Sequence, residues 1–166
     1  LRQRKVFSYG PKRIQLVDFD ERIVHAVERF ADKEGLSDVI SARLYNCIDA
    51  FPDDLVGQLD AFYTNPPWGA SNDGESVKVF AERGIEGLRV DGEGVIVIAD
   101  DPKLDWARRV LKATQTFTGG MGFFVQEMQS QVHLYHLDDA PELRSCNLFI
   151  RSEPGRVPVA KSYELH

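Results

Sequence analysis

Short apolar runs alternate along this chain with longer segments whose apolar residues recur every third or fourth position. A run that is apolar at nearly every position suits a strand covered on both faces. Amphipathic helices between such runs supply the cover, so the pattern predicts a parallel sheet with helical crossovers. The most convincing strand is 94–99 (GVIVIA), an unbroken, largely β-branched run suited to the middle of a sheet. Residues 14–18 (IQLVD), 39–44 and 59–64 (LDAFYT) read as further strands. Between the first two, the spacing predicts a helix over 21–33 with Ile23, Val24, Val27, Phe30 and Ala31 on one face and Gly35 as its stop. A second helix is expected over 75–88, turning Val77, Phe80, Ala81, Ile85 and Leu88 inward. A third is expected over 104–116, led by Asp100-Asp101-Pro102 and ended by Gly119-Gly120. After that the rhythm changes. Segments 122–128, 131–136 and 147–151 read as strands with no helix between them, which predicts an antiparallel pair at the sheet edge, and residues from Pro154 onward read as a peripheral tail.

This order resembles a Rossmann-like class I methyltransferase sheet, mostly parallel with a C-terminal antiparallel hairpin, read from its second strand onward. A nucleoside site of that kind needs a Gly-rich turn about 20 residues before the acid that closes the second strand. Asp18 has seventeen residues ahead of it, and none resembles G-x-G. If 4–7 is a first strand, 8–13 is too short for a parallel crossover, which takes about a dozen residues. The expectation is therefore that the glycine loop and its helix are absent from this chain, with a break near Phe7-Ser8. The rival reading makes 1–13 an extended arm. A single domain over 1–166 is expected, with a core burying roughly 68–70% of the unfolded surface; a further N-terminal domain outside the chain is left open.

Lys and Arg number 20 against 26 Asp and Glu, giving a net charge of −6. That balance repels a phosphate backbone, so a small cationic partner is favoured over nucleic acid. Cys47 and Cys146 have neither C-x-x-C spacing nor a suitably spaced His, which predicts reduced core thiols and no metal. No apolar run approaches the roughly 18 residues that span a bilayer, and no basic-then-apolar leader opens the chain. A cytoplasmic location without a membrane partner is expected, and a homodimer is compatible with the sequence.

Asn65-Pro66-Pro67-Trp68 directly follows the strand 59–64, and ligands in open α/β sheets bind at the carboxyl ends of strands. Two prolines fix φ and withhold their N–H groups, which leaves the carbonyls of this corner, with the Asn65 side chain, to accept from a ligand. Two acceptors gripping the N–H groups of an amine would present its lone pair in line to an electrophilic carbon. Trp68 can stack on a ring or hold a cationic amine, worth about 0.5–2 kcal/mol. The competing reading is a rigid turn packed on the core.

The tetrad resembles the (D/N/S)-P-P-(F/Y/W) motif of amine-directed S-adenosylmethionine-dependent methyltransferases, and its context narrows the match. Thr64 to Glu75 (TNPPWGASNDGE) and the F-x-x-R-G-I-E stretch from Phe80 to Glu86 resemble the bis(aminopropyl)spermidine synthase family of branched-chain polyamine synthases. So do Leu16 to Arg22 (LVDFDER), Tyr135 to Pro141 (YHLDDAP) and Ser145 to Phe149 (SCNLF). The resemblance covers most of 12–152. It implies transfer of an aminopropyl group from decarboxylated S-adenosylmethionine to a polyamine nitrogen, with release of methylthioadenosine. One departure stands out. Members characterised as synthases tend to carry Asp before the two prolines, where a carboxylate can take the proton of an ammonium with a pKa near 10.4; Asn65 cannot act as a base. Another acid, a drift toward methyl transfer, or a different acceptor would each account for it.

By position, Asp18, with Phe19 beside it, is the candidate for the ribose hydroxyls of the donor, and Asp20 is the cap of the following helix or a residue of the site's rim. Asn46 is the candidate for the adenine amino group, with Asp49 in reserve. Asp100 and Asp101, after the strongest strand, and Asp138-Asp139 in the late hairpin connection are candidates for the extended charge of a polyamine, an attraction that acts within a Debye length of about 8 Å. His136 or His133 could serve as the base. The alternatives are an S-adenosylmethionine-dependent N-methyltransferase and a non-catalytic domain that has lost its cofactor loop.

Overall fold

In a computed structural model of the chain, the residues described are 10–68, 74–136 and 142–158. Phe7-Ser8, the glycine-flanked segment 69–73 and the Asp138-Asp139 pair lie outside them. The chain forms two compact units, 1–49 and 50–166.

The first unit is a βαβ element. Strand β1 (Ile14–Asp18) runs parallel to β2 (Ile40–Leu44), with Ile14 opposite Ile40 and Asp18 opposite Leu44, and α1 (Glu21–Lys33) is the crossover. Asp20 caps α1, its carboxylate accepting the Arg22 N–H at 2.8 Å. The far end closes in a Schellman turn. Gly35, at φ +64°, donates to Asp32 O, Leu36 donates to Ala31 O at 2.7 Å, and the Leu36 side chain is buried. Val24 and Ala31 are buried as the periodicity predicts, whereas Ile23 and Phe30 on the same predicted face stay 44% exposed. Two strands offer a narrow surface and cover only the centre of the helical stripe.

The second unit is a four-stranded sheet in the order β3-β4-β6-β5. Strand β3 (Leu59–Thr64) is parallel to β4 (Leu88–Ala99). Strand β6 (Arg144–Ser152) is antiparallel to β4 and to the edge strand β5 (Phe123–Leu134). Helices α2 (Glu75–Gly87) and α3 (Asp105–Gly120) pack on it. Val77, Ala81 and Ile85 of α2 and Val110 of α3 share one cluster with Ile96, Ile98, Leu148 and Ile150 of the sheet. Each of the Val, Ile and Leu side chains contributes about 1.5–3 kcal/mol relative to exposure. Val97 and Ala99 are buried as well, so β4 is covered on both faces at its carboxyl end, as its unbroken apolar run predicts.

Several boundaries differ from the sequence expectation, among them the start of β6 at Arg144 rather than at residue 147. Strand β4 begins at Leu88, directly after α2, because 88–93 makes an irregular excursion. Leu59 pairs with Leu88 but Ala61 already pairs with Glu93. Helix α3 runs through Gly119-Gly120, with Met121 as its C-cap. Both glycines are exposed, and buried Thr114 and Thr118 bond back to the carbonyls of Val110 and Thr114, so packing carries the helix past a pair that costs about 1 kcal/mol each. The two strands expected over 122–136 are one strand, β5, interrupted by a bulge around Gln131.

The family-specific F-x-x-R-G-I-E stretch lies on α2 and is architectural. Arg83 and Glu86 are 3% and 1% exposed. Gly84 lets the ring of Phe62 on β3 approach so closely that a Cβ there would stand 2.6 Å from it.

Candidate functional site

The residues predicted for the site fall at carboxyl ends of strands in both units. In the first unit Asp18 closes β1. Its Oδ1 accepts the Asp20 N–H at 2.9 Å, and its Oδ2 has no protein partner among the described residues. One oxygen is thus fixed by the turn and the other is open to a hydroxyl. Phe19 is 72% exposed. Asn46, after β2, turns its Oδ1 onto its own backbone, accepting the Ile48 N–H at 3.3 Å, while its carbonyl accepts from Asp49 N–H at 3.0 Å. The second lone pair of Oδ1 and the amide nitrogen are left to meet a ligand. Asp20 is engaged with Arg22, whose side chain donates to both carboxylate oxygens, and this bond holds the Asp20 carboxyl at about 2.

In the second unit Asn65 follows β3 directly. Its side chain is exposed and has no hydrogen-bond partner among the described residues, whereas Pro66 is buried. Pro66 therefore anchors the corner in the core, while Asn65 and Pro67 face outward. Trp68 is half-buried and packs against two rings: Trp106 of the first turn of α3, with centroids 6.3 Å apart and planes at 28°, and Tyr135, edge-on at 5.3 Å and 87°. The Trp68 Nε1–H is buried and has no acceptor among the described residues; a buried donor left unpaired ordinarily costs about 1–3 kcal/mol. A buried donor beside an outward-facing carboxamide marks this corner as a place where a ligand or a neighbouring loop completes the bonding.

Trp106 and Tyr135 were not among the predicted site residues. Tyr135 enters the sequence reading only through the resemblance, and the signal for Trp106 is an aromatic residue in the first turn of a helix that starts just beyond a strand's carboxyl end.

Asp100 also ends its strand, but the structure gives it a definite partner. Its Oδ2 accepts the Gln131 N–H at 3.0 Å and its own N–H donates to Arg144 O at 2.9 Å. Asp101 turns inward on the chain, its Oδ1 accepting the Lys103 N–H at 2.9 Å at the approach to α3. His133 stands 2.9 Å from Asn147 Oδ1. The Asn147 amide nitrogen is directed at Gln129 Oε1, 3.3 Å away, so its oxygen accepts and His133 Nε2 donates. His136 is exposed, and Asp138 and Asp139 lie outside the described residues. Cys146, on β6 opposite Ile98 of β4, is buried within reach of the Asp100 charge. Burial first and that charge second push its thiol up to about 12; Cys47 is half-buried, and neither cysteine is in a disulfide.

Two open hollows of about 490 and 430 Å³ run along α3, lined by residues such as Arg108, Lys112 and Thr116. They contain none of the predicted site residues, and the chemistry argues for the strand ends instead. Among the described residues no three His, Cys, Asp or Glu side chains converge as metal ligands, and no helix is long and apolar enough to cross a membrane.

Two βαβ-type parallel pairs, a terminal antiparallel hairpin and polar residues at the strand ends define a class I methyltransferase-like α/β protein, a fold seen in solved methyltransferases. The sequence model of the branched-chain polyamine synthase A C-terminal domain matches residues 5–162, and the chain belongs to that family. An uncharacterised protein of Methanocaldococcus jannaschii is 30% identical over 122 residues, 74% of this chain and 28% of that protein. The N(4)-bis(aminopropyl)spermidine synthase of Thermococcus kodakarensis is 33% identical over 82 residues, 49% of this chain and 22% of that enzyme. The crystal structure of the branched-chain polyamine synthase of Thermus thermophilus, in complex with N4-aminopropylspermidine and 5'-methylthioadenosine, superposes with a TM-score of 0.75 at 20% identity. It covers 94% of this chain and 48% of that one. The chain thus spans about a quarter of the two relatives' lengths and about half of the solved structure. The family resemblance carried by the motifs is borne out.

Proposed function

We propose that this chain is the donor-binding part of an aminopropyltransferase that acts on a polyamine nitrogen. The observation that carries the reading is the Asn65–Trp68 corner. An exposed carboxamide and a buried indole N–H, neither with a hydrogen-bond partner among the described residues, follow one parallel strand at its carboxyl end, in a chain of the polyamine synthase family. The donor is decarboxylated S-adenosylmethionine, whose sulfonium carbon is the electrophile. The polyamine nitrogen forms the new C–N bond, the C–S bond breaks with its electron pair leaving on methylthioadenosine, and the nitrogen loses one proton. Asn65 Oδ1 and the proline-corner carbonyls accept from the nucleophile's N–H groups and hold its lone pair toward the donor. Asp18, through its unengaged oxygen, takes the ribose hydroxyls, with Phe19 beside it, and the remaining lone pair of Asn46 Oδ1 accepts from the adenine amino group. Asp101 and His136 are the described candidates for meeting the extended polyamine charge, and Asp138 remains a candidate by sequence alone. Asn65 cannot take the proton, so the base is another group.

Asn at the head of the tetrad also favours a second reading, N-methyl transfer from intact S-adenosylmethionine. Incubation of the protein with spermidine and each donor, followed by mass spectrometry of the amine, separates the two. A gain of one aminopropyl group with release of methylthioadenosine is expected. Gain of a methyl group only, with the intact donor, would replace the first reading by the second. No product together with no thermal stabilisation by either donor would remove both.

A further inference from the structure

Gln131 is the only non-glycine residue with positive φ among the described residues, at +54°. It sits where the pairing of β5 with β6 breaks register. Gln129 faces Asn147, but the next pairing is His133 with Ser145, so four steps along β5 match two along β6. The two extra residues form the bulge. Beyond it, pairing resumes with Leu134 opposite Arg144, and the Tyr135 N–H donates to Leu143 O at 2.8 Å. That register brings Tyr135 edge-on to Trp68 and His133 to Asn147. Without the bulge Gln131 would take the place of His133, and Tyr135 would move two residues along the strand, about 7 Å at 3.2–3.4 Å per residue. The bulge residue's amide is held from outside the hairpin by Asp100 Oδ2 at 3.0 Å, at the end of β4.

We propose that Asp100 is a positioning residue: by accepting the Gln131 N–H it holds the β5 bulge, and the bulge delivers Tyr135 to the Asn65–Trp68 corner. Asp100 acts as a hydrogen-bond acceptor in this role, and its negative charge is dispensable. A bulge is a recurrent device for re-aiming a side chain beside a site, and an isolated left-handed residue other than glycine is strained unless its surroundings hold it. The consequence for amine binding rests on the function proposed above; the structural link does not.

The test compares Asp100→Asn, which keeps an acceptor oxygen, with Asp100→Ala and with Asp100→Ala/Gln131→Gly, in which glycine takes the left-handed conformation without strain. Both tryptophans of the chain, Trp68 and Trp106, lie in the aromatic cluster, so ligand-free intrinsic fluorescence reports on it directly. Amide hydrogen exchange at residue 131 reports on the bond. Exchange at residue 131 should speed up at least tenfold in Asp100→Ala and stay near wild type in Asp100→Asn. The tryptophan emission should shift in Asp100→Ala and return in the Gln131→Gly double variant. In the transferase assay KM for the amine should rise in Asp100→Ala with kcat changed less, and Asp100→Asn should restore most of it. Unchanged exchange and emission in Asp100→Ala would overturn the proposal, since strand pairing alone would then hold the bulge. A loss of amine affinity equal in Asn and Ala, with emission unchanged, would also overturn it and make Asp100 a direct charge contact. If no donor supports turnover, the transferase reading fails while the two ligand-free measurements still decide the positioning role.

Discussion

Arg83 and Glu86, one turn apart on α2, form a buried ion pair in which Arg83 Nη1 donates to both carboxylate oxygens, at 2.8 and 3.0 Å. The pair belongs to the stretch of sequence most specific to the family, and the Glu86 carbonyl also accepts the Gly57 N–H at 2.9 Å.

Removing one partner leaves the other charge desolvated. Arg83→Met or Glu86→Leu should each lower the unfolding free energy by about 3–5 kcal/mol, whereas the double replacement should cost clearly less than the sum. Urea denaturation of the three variants checks this; additive losses would show that the two side chains do not act as a pair.

Gly84→Ala places a methyl against the Phe62 ring, 2.6 Å from its nearest atom. Overpacking of about 1–3 kcal/mol should outweigh the gain of about 1 kcal/mol in helix propensity, so Tm should fall. Phe62→Leu in the same chain should recover part of the loss in thermal unfolding.

The Asp20 carboxyl is lowered from 3.8 to about 2, chiefly by the Arg22 side chain. A lowered folded pKa means that the cap's stabilisation of α1 is complete above pH 3.8 and disappears as pH falls through 2. An NMR titration of Asp20 should show a midpoint near 2, moving toward 3.8 in Arg22→Ala.

The Cys146 thiol, pushed up to about 12 by burial and by the nearby Asp100 charge, remains neutral through physiological pH. Iodoacetamide at pH 8 should modify Cys47 in the native protein and reach Cys146 only after denaturation. The sign follows from the raised value: above the ordinary thiol pKa of 9.0, unfolding gains the free energy of ionising this group, so its contribution opposes stability as pH rises from 9 toward 12.

Much of the architecture can be read without coordinates. Strands β1 and β3 and helix α1 have the bounds that their periodicity predicts, and Gly35 and Asp20 end and begin α1 by local hydrogen bonds. These features depend on side chains within a few residues of one another. The tetrad was equally legible as a motif, since two prolines constrain their own backbone wherever they stand.

The bulge at Gln131, the early start of β4 and the meeting of Trp68 with Trp106 and Tyr135 were not legible. Each depends on which strand lies beside which and in what register, and that is settled by burial and hydrogen bonding summed over residues far apart in the chain. Asp100 illustrates the division. Its place at the end of a strand follows from the run GVIVIA, but its engagement with an amide 31 residues onward exists only once β4, β6 and β5 have paired.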